Sequence, residues 1–275
     1  MRVSEVFSVS RRSWVSCFFL FLSYLAPATA QEPEQPLVDP DAMMILQRAA
    51  QHMADAERFS VTIRNGYDTV QANGQKIEFG DRRQVLVNRP NQLRVDVERS
   101  DGKQSTVVFD GKNLTAYDHA NNVYALSAIS GDVDAAIKHF VRGLRMRMPL
   151  AMLLVREFPA DLKRRVQQLD YVEETAGSGV PSDHLAGRGA DVDFQMWIAR
   201  GEEPLIQRVV ITYKLEEGAP QFWAEFSDWN FSPTVPEGKF EFQPPKDAQR
   251  IEFLANYIET SRKQQEPAAQ TGETP

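Results

Sequence analysis

Residues 193–245 read DFQMWIARGEEPLIQRVVITYKLEEGAPQFWAEFSDWNFSPTVPEGKFEFQPP, and this stretch decides the fold. Side chains in a strand alternate between its two faces. Phe194, Met196 and Ile198 therefore share one face, as do Val209, Ile211, Tyr213 and Leu215. The opposite face is not consistently polar, because Trp197, Val210, Trp223 and Trp229 interrupt it. Both sides of such a sheet need apolar cover or an apolar guest. The pattern predicts a large antiparallel sheet that presents a surface.

Upstream, the pattern is helical before it is extended. Asp39 and Pro40 supply an N-cap and a first helical residue. Ala42, Ile45, Leu46, Ala49, Met53 and Ala56 then fall on one face of a helix over residues 41–58. Phe59, Val61 and Ile63 alternate with polar residues, as do Leu93, Val95 and Val97, while Asn73-Gly74, Asp110-Gly111 and Asn121-Asn122 mark tight turns. This predicts a meander from residue 59 to about residue 126. Asp132 or Ser130 caps a second helix with Val133, Ala136, Ile137, Phe140 and Leu144 on its apolar stripe. After Pro149 the run Leu150, Ala151, Met152, Leu153, Leu154, Val155 is apolar all round, so it is either fully buried or covers something hydrophobic. A charged helical turn follows over residues 161–165, and strands resume at residues 167–174. Ile251, Leu254, Ala255 and Ile258 predict a short terminal helix.

Arg2, Arg11 and Arg12 precede an apolar run over residues 14–25 that ends in Pro27 and Ala28-Thr29-Ala30. This predicts a signal peptide over residues 1–30, cut after Ala30 on the general secretory route, and so a periplasmic location. The run is short of the roughly 20 apolar residues a membrane span needs, and no other segment approaches it. A flexible lead over residues 31–38, one domain over residues 39–260 and a disordered polar tail over residues 261–275 complete the expected organisation. Removing the signal takes away three arginines and one glutamate, which moves the net charge from −7 to −9 and argues against nucleic acid as a partner. The single cysteine, Cys17, leaves with the signal, so packing rather than a disulfide must hold the mature fold.

No catalytic constellation stands out. His52, His119, His139 and His184 lie on different elements without metal-ligand spacing, and no metal or cofactor is expected. Ser178 lacks the context of a nucleophile elbow, and Gly187 with Gly189 is only a fragment of a dinucleotide fingerprint. Asp191 with Asp193 and Glu202 with Glu203 read as turn acids rather than a catalytic pair. The basic cluster around the apolar run is a local inversion of charge in an acidic chain. It comprises Lys138, Arg142, Arg145 and Arg147 before the run, with Arg156, Lys163, Arg164 and Arg165 after it. It suits a rim for an anionic headgroup or a partner, the plain alternative being a solvated helix face.

The order of these elements resembles a family of predicted periplasmic proteins, domain of unknown function 2092. The features that carry the resemblance are the apolar segment at Pro149-Leu150-Ala151, the Trp197 strand before Pro204, and the ending Phe240-Glu241-Phe242-Gln243-Pro244-Pro245-Lys246. Its architecture is similar to that of the LolA-like lipoprotein carriers. The resemblance implies an α+β fold in which a large curved antiparallel sheet, an incomplete β-barrel, is covered by helices on its concave side, with residues 150–155 as a lid. The all-apolar segment beside a sheet with apolar residues on both sides predicts a hydrophobic site formed by Val61, Ile63, Val95, Val97, Leu150, Leu153 and Leu154, with its basic flanks as a headgroup rim of Arg142, Arg145, Arg147 and Arg156. The charged strand Asp81-Arg82-Arg83 departs from the carrier proper and fits a different amphiphile. The expected function is non-enzymatic binding or carriage of a lipid or lipid-modified protein. A second reading is an envelope protein-interaction or sensor module using the same sheet, and an unrecognised hydrolase ranks last.

Overall fold

Two antiparallel meanders are joined edge to edge into one sheet. In the computed structural model the described residues are 37–146, 148–176 and 179–253; the expected signal peptide, Arg147, Ser178 and the polar tail lie outside them. The first meander follows helix α1 (Pro40–Asp55) and contains β1 (Arg58–Val70), β2 (Lys76–Asn88), β3 (Gln92–Arg99), β4 (Gln104–Phe109), β5 (Asn113–Asp118) and β6 (Val123–Ala128). A helical block comes next: α2 (Val133–Lys138), a π-helical turn (His139–Gly143), a 3-10 turn (Ala151–Leu154) and α3 (Phe158–Arg165). The second meander is β7 (Gln168–Thr175), β8 (Ser182–Arg188), β9 (Asp193–Ala199), β10 (Ile206–Thr212) and β11 (Gln221–Asn230), and β12 (Gln249–Ile251) is the last described strand.

The strand order is β12-β6-β5-β4-β3-β2-β1-β11-β10-β9-β8-β7, so the sheet is open, with β12 and β7 at its edges. All neighbours are antiparallel except β12 beside β6. The first and last long strands, β1 and β11, pair at the centre, and this one ladder fuses the two meanders. Local chemistry sets the hairpins. β1 and β2 pair over their whole length, and the turn between them closes with Gly74 at a φ of 82°, where a side chain would be strained. At the β4–β5 turn the Asp110 carboxylate accepts from the backbone of Lys112 and Asn113 at 2.8 and 2.7 Å.

The helix entrances follow the predicted capping. Asp39 accepts from the N–H groups of Asp41 and Ala42 at 2.8 and 3.2 Å, and Asp132 from that of Ala135 at 2.9 Å. Helix α1 stops at Asp55 rather than continuing to residue 58, because Arg58 already pairs with Asn88. Val38, expected in the lead, bridges to Leu169 of the β7 edge.

The predicted terminal helix is corrected: Ile251 lies in β12, where the chain extends alongside β6 and takes up that edge's hydrogen bonds. Residues 254 and beyond, including Leu254, Ala255 and Ile258, lie outside the described part. Leu215 is also corrected. It is exposed in the loop after β10, because that strand ends at Thr212.

One face of the sheet, the inner face, carries Phe59, Val61, Ile63, Val85, Val95, Met196, Val209 and Phe222 into a continuous core with the helices. The outer face of β3–β6 is covered by the protein's own C-terminal segment. Arg94 Nη1 donates to the Lys239 carbonyl at 3.2 Å, and Phe242 packs between Tyr117 and Tyr124 at 5.5 and 5.4 Å between ring centres.

Candidate ligand-binding cavity

Strand alternation brings Val61, Ile63 and Asn65 to the inner face of β1, and the ladder sets Val61 against Val85 and Val85 against Val95. Over this patch lies the apolar segment that the sequence singled out. It forms a 3-10 turn, with Leu150 ahead of it in the left-handed region at a φ of 70°. Between them is a cavity of about 40 Å³. Val61, Ile63 and Val95 line it from the sheet, and Leu150, Leu153 and Leu154 from the segment above. Val97, placed in the site by the sequence, is half-buried against the core but is not part of the wall.

Sequence reading missed the contribution of β11. Phe222, Phe226 and Trp229 also line the cavity, although simple alternation puts Trp229 on the outer face with Trp223. The register explains the inversion. Ser60 and Thr62 of β1 lie opposite Asn230 and Ser227, so β11 carries one extra residue there, and Asp228 adopts a φ of 55°. A β-bulge of this kind swaps the faces of everything beyond it. Trp229 turns inward, stacks against Phe226 with centres 5.7 Å apart, and donates its Nε1–H to the Ile206 carbonyl at 3.1 Å.

The covering segment is tied down by a buried cation the sequence reading did not weigh. Arg89 donates to the Ala56 carbonyl at the end of α1 (3.0 Å), to Asp134 Oδ1 on α2 (2.9 Å) and to the Leu154 carbonyl (2.6 Å). Burial holds its pKa below the ordinary value, against the opposing pull of Asp134. The other Asp134 oxygen accepts the Arg156 N–H at 2.8 Å, so one ion pair joins both helices, the sheet and the cover.

The floor of the cavity is polar at one point. Asn65 is 2% exposed, and neither its Oδ1 nor its Nδ2 has a hydrogen-bond partner among the described residues. Leaving such a group unsatisfied costs about 1–3 kcal/mol. Asp81, directly across on β2, is turned away to Arg83, with Nε–Oδ1 at 2.7 Å and Nη2–Oδ2 at 3.0 Å. Arg83 also reaches the cavity wall.

Of the arginines predicted for the rim, Arg147 lies outside the described residues. Arg142, Arg145 and Arg156 are exposed and none lines the cavity, while Arg156 pairs with Glu57 at 2.6 Å. The reason is geometric, since these residues flank the apolar segment in sequence but project from its solvent side. On the outer face, Trp197 and Trp223 are covered by cations. Arg208 lies 5.6 Å from the ring centre of Trp197 and 5.7 Å from that of Trp223, and Arg64 lies 5.8 Å from Trp223. The histidines stay apart: His184 stacks on Trp197 at 4.1 Å, and His139 meets Ser127 Oγ at 2.9 Å. Among the described residues no cluster of three or more His, Cys, Asp or Glu is placed to hold a metal, and no helix is long and apolar enough to cross a membrane.

A family model described as predicted periplasmic protein (DUF2092) matches residues 42–254. The chain belongs to this family. No curated protein matches it in sequence. Among solved structures it is similar to the lipoprotein LppX of Mycobacterium tuberculosis, at 13% identity and a TM-score of 0.44, over 72% of this chain and 100% of that one. It is also similar to a LolA superfamily protein of Nitrosomonas europaea, at 13% identity and a TM-score of 0.38, over 73% of this chain and 97% of that one. A third likeness is to MucB, solved in complex with MucA(peri), at 18% identity and a TM-score of 0.39, over 77% of this chain and 62% of that one.

Proposed function

We propose that this member of the family is a non-enzymatic periplasmic binder or carrier of a hydrophobic ligand, a lipid or an acylated protein. The observation that carries the reading is the cavity between the inner sheet face and residues 148–154, whose lining is apolar apart from Asn65 and Arg83. Burying an acyl chain contributes about 0.8 kcal/mol per methylene without any directional group, so a wall of Val, Ile, Leu, Phe and Trp is sufficient.

The volume sets the mechanism. A cavity of about 40 Å³ holds on the order of three waters, well below the roughly 300–1,000 Å³ of sites that enclose a small organic ligand. Loading therefore requires the segment over the cavity to lift, so that Leu150, Leu153 and Leu154 give up their place to the ligand's own methylenes. One apolar contact replaces another, and the left-handed Leu150 can relax as the segment moves. The small volume also supports a second reading, in which the same sheet face and its cover engage a protein in the envelope and no acyl chain enters.

One measurement addresses export and cargo together. The full chain is expressed in a bacterium, purified from the periplasmic fraction, and examined by native mass spectrometry with lipid extraction. The expected result is a mass corresponding to cleavage after Ala30, with a co-purifying amphiphile that is lost with the Leu153→Asp substitution. A clean apo mass, combined with failure to bind a fluorescent acyl probe at micromolar concentration, removes the carrier reading. Recovery of a specific envelope protein would then put the interaction reading in its place.

A further inference from the structure

We propose that Asn65 and Arg83 form a polar subsite at the floor of the cavity that receives an uncharged acyl linkage, the ester or amide carbonyl of a neutral acylated ligand, in preference to a free carboxylate or phosphate. This rests on the carrier reading and specifies the chemistry of the cargo.

Asn65 is the deciding residue. Its carboxamide lines a wall that is apolar apart from Arg83, is 2% exposed, and has neither donor nor acceptor satisfied among the described residues. Its cross-strand neighbours give it no help. Ala224 of β11 has no polar side chain, and Asp81 of β2 commits both oxygens to Arg83. Buried amides are almost always hydrogen-bonded, so one left open toward a cavity is shaped for an occupant that brings its own donor and acceptor. The Arg83 fork engages Asp81 through Nε and Nη2 and, among the described residues, leaves Nη1 for a further acceptor. Together the groups offer amide and guanidinium N–H donors for a carbonyl oxygen, and Asn65 Oδ1 for a neighbouring hydroxyl or N–H.

Charge sets the class of ligand. Arg83 and Asp81 cancel, and Asn65 is neutral, so the trio has no net charge to offset the desolvation of an anion entering a low-dielectric site. An ester or amide loses little on entering and satisfies the open amide. Water is the competing occupant, and a small cavity with polar partners suits it; a matched pair of ligands separates the two.

The test is displacement of a fluorescent acyl probe from the exported protein by 1-monooleoylglycerol and by oleate, which share a chain and differ in the head, at pH 8. Wild type is expected to favour the monoacylglycerol by about tenfold, the value of one well-made hydrogen bond to a buried group. Asn65→Leu, close in size, should erase the preference and raise the melting temperature of the unliganded protein, since it removes the open amide. Asn65→Ala, which only removes atoms, should also erase the preference if the leucine overpacks. Equal displacement by both ligands in wild type, or a preference that survives both substitutions, overturns the subsite and leaves the carrier reading standing. Displacement by neither overturns both.

Discussion

Gly66 shows how one missing Cβ organises a surface. It lies opposite Trp223 in the β1–β11 ladder, and a Cβ there would sit 2.5 Å from the indole Nε1. The indole lies over the glycine and donates to Glu78 Oε2 at 2.9 Å, two strands away. Gly187 does the same for Phe194, whose ring tip would meet an added Cβ at 2.2 Å. The fragment of a nucleotide fingerprint is thus a packing site between β8 and β9. Arg89 is the residue whose loss should be felt most. Arg89→Met strands Asp134 and the Leu154 carbonyl, and breaking a buried pair from one side costs about 3–5 kcal/mol. Urea unfolding should show that loss, and the double variant Arg89→Met/Asp134→Leu should recover much of it. A single variant as stable as wild type would remove the latch role.

At the scale of elements, the bulge in β11 and the C-terminal segment do what strand alternation alone could not. The bulge moves Trp229 to the inner wall, and residues 232–248 cross the outer face of β3–β6 before β12 pairs with β6. The crossing is held by a polar cluster in which Asp96 accepts from Arg94 at 2.8 Å and from Thr106 Oγ1 at 2.8 Å, with Lys239 Nζ at 3.9 Å. Burial pushes the Asp96 pKa up, but the bonds from Arg94 and Thr106 outweigh it and hold the carboxyl below its ordinary value. The folded state therefore binds this proton less readily than the unfolded chain. The resulting stability is fully present above the unfolded pKa of about 3.9 and is lost as pH falls through the lowered folded value. The unfolding free energy should fall below pH 4 in wild type and fall less steeply in Asp96→Asn. Parallel pH profiles for the two would show that the cluster does not hold the crossing.

For the whole molecule, the open sheet predicts a gradient of protection. β1 and β11 sit at the centre of the strand order and are flanked on both sides, whereas β7 is an edge that, among the described residues, is hydrogen-bonded on its outer side near Leu169 by Leu37 and Asp39. Amides of β1 and β11 should exchange slowest and those of residues 171–175 among the fastest of the strands, because edge groups open without global unfolding. Hydrogen-exchange mass spectrometry checks this, and equal protection across the sheet would contradict it. An acyl ligand should lower protection at residues 148–154, which lift to admit it, and keep or add protection in β1, whose inner face the ligand covers.

The sequence by itself determined the elements whose causes are local. The caps at Asp39 and Asp132, the turns at Asn73-Gly74 and Asp110-Gly111, the alternating strands and the apolar run at residues 150–155 are all set by side chains within a few positions of one another. It also marked Val61, Ile63, Val95, Leu150, Leu153 and Leu154, because burial leaves an apolar periodicity. Tertiary structure alone decided that β1 pairs with β11, that Trp229 faces inward, that Arg89 ties down the cover, and that Asn65 and Arg83 both line the cavity. Each of these depends on residues far apart in the chain. Pairing, bulging and a buried polar contact are made across strands, and nothing in the local order of residues encodes which strand lies opposite.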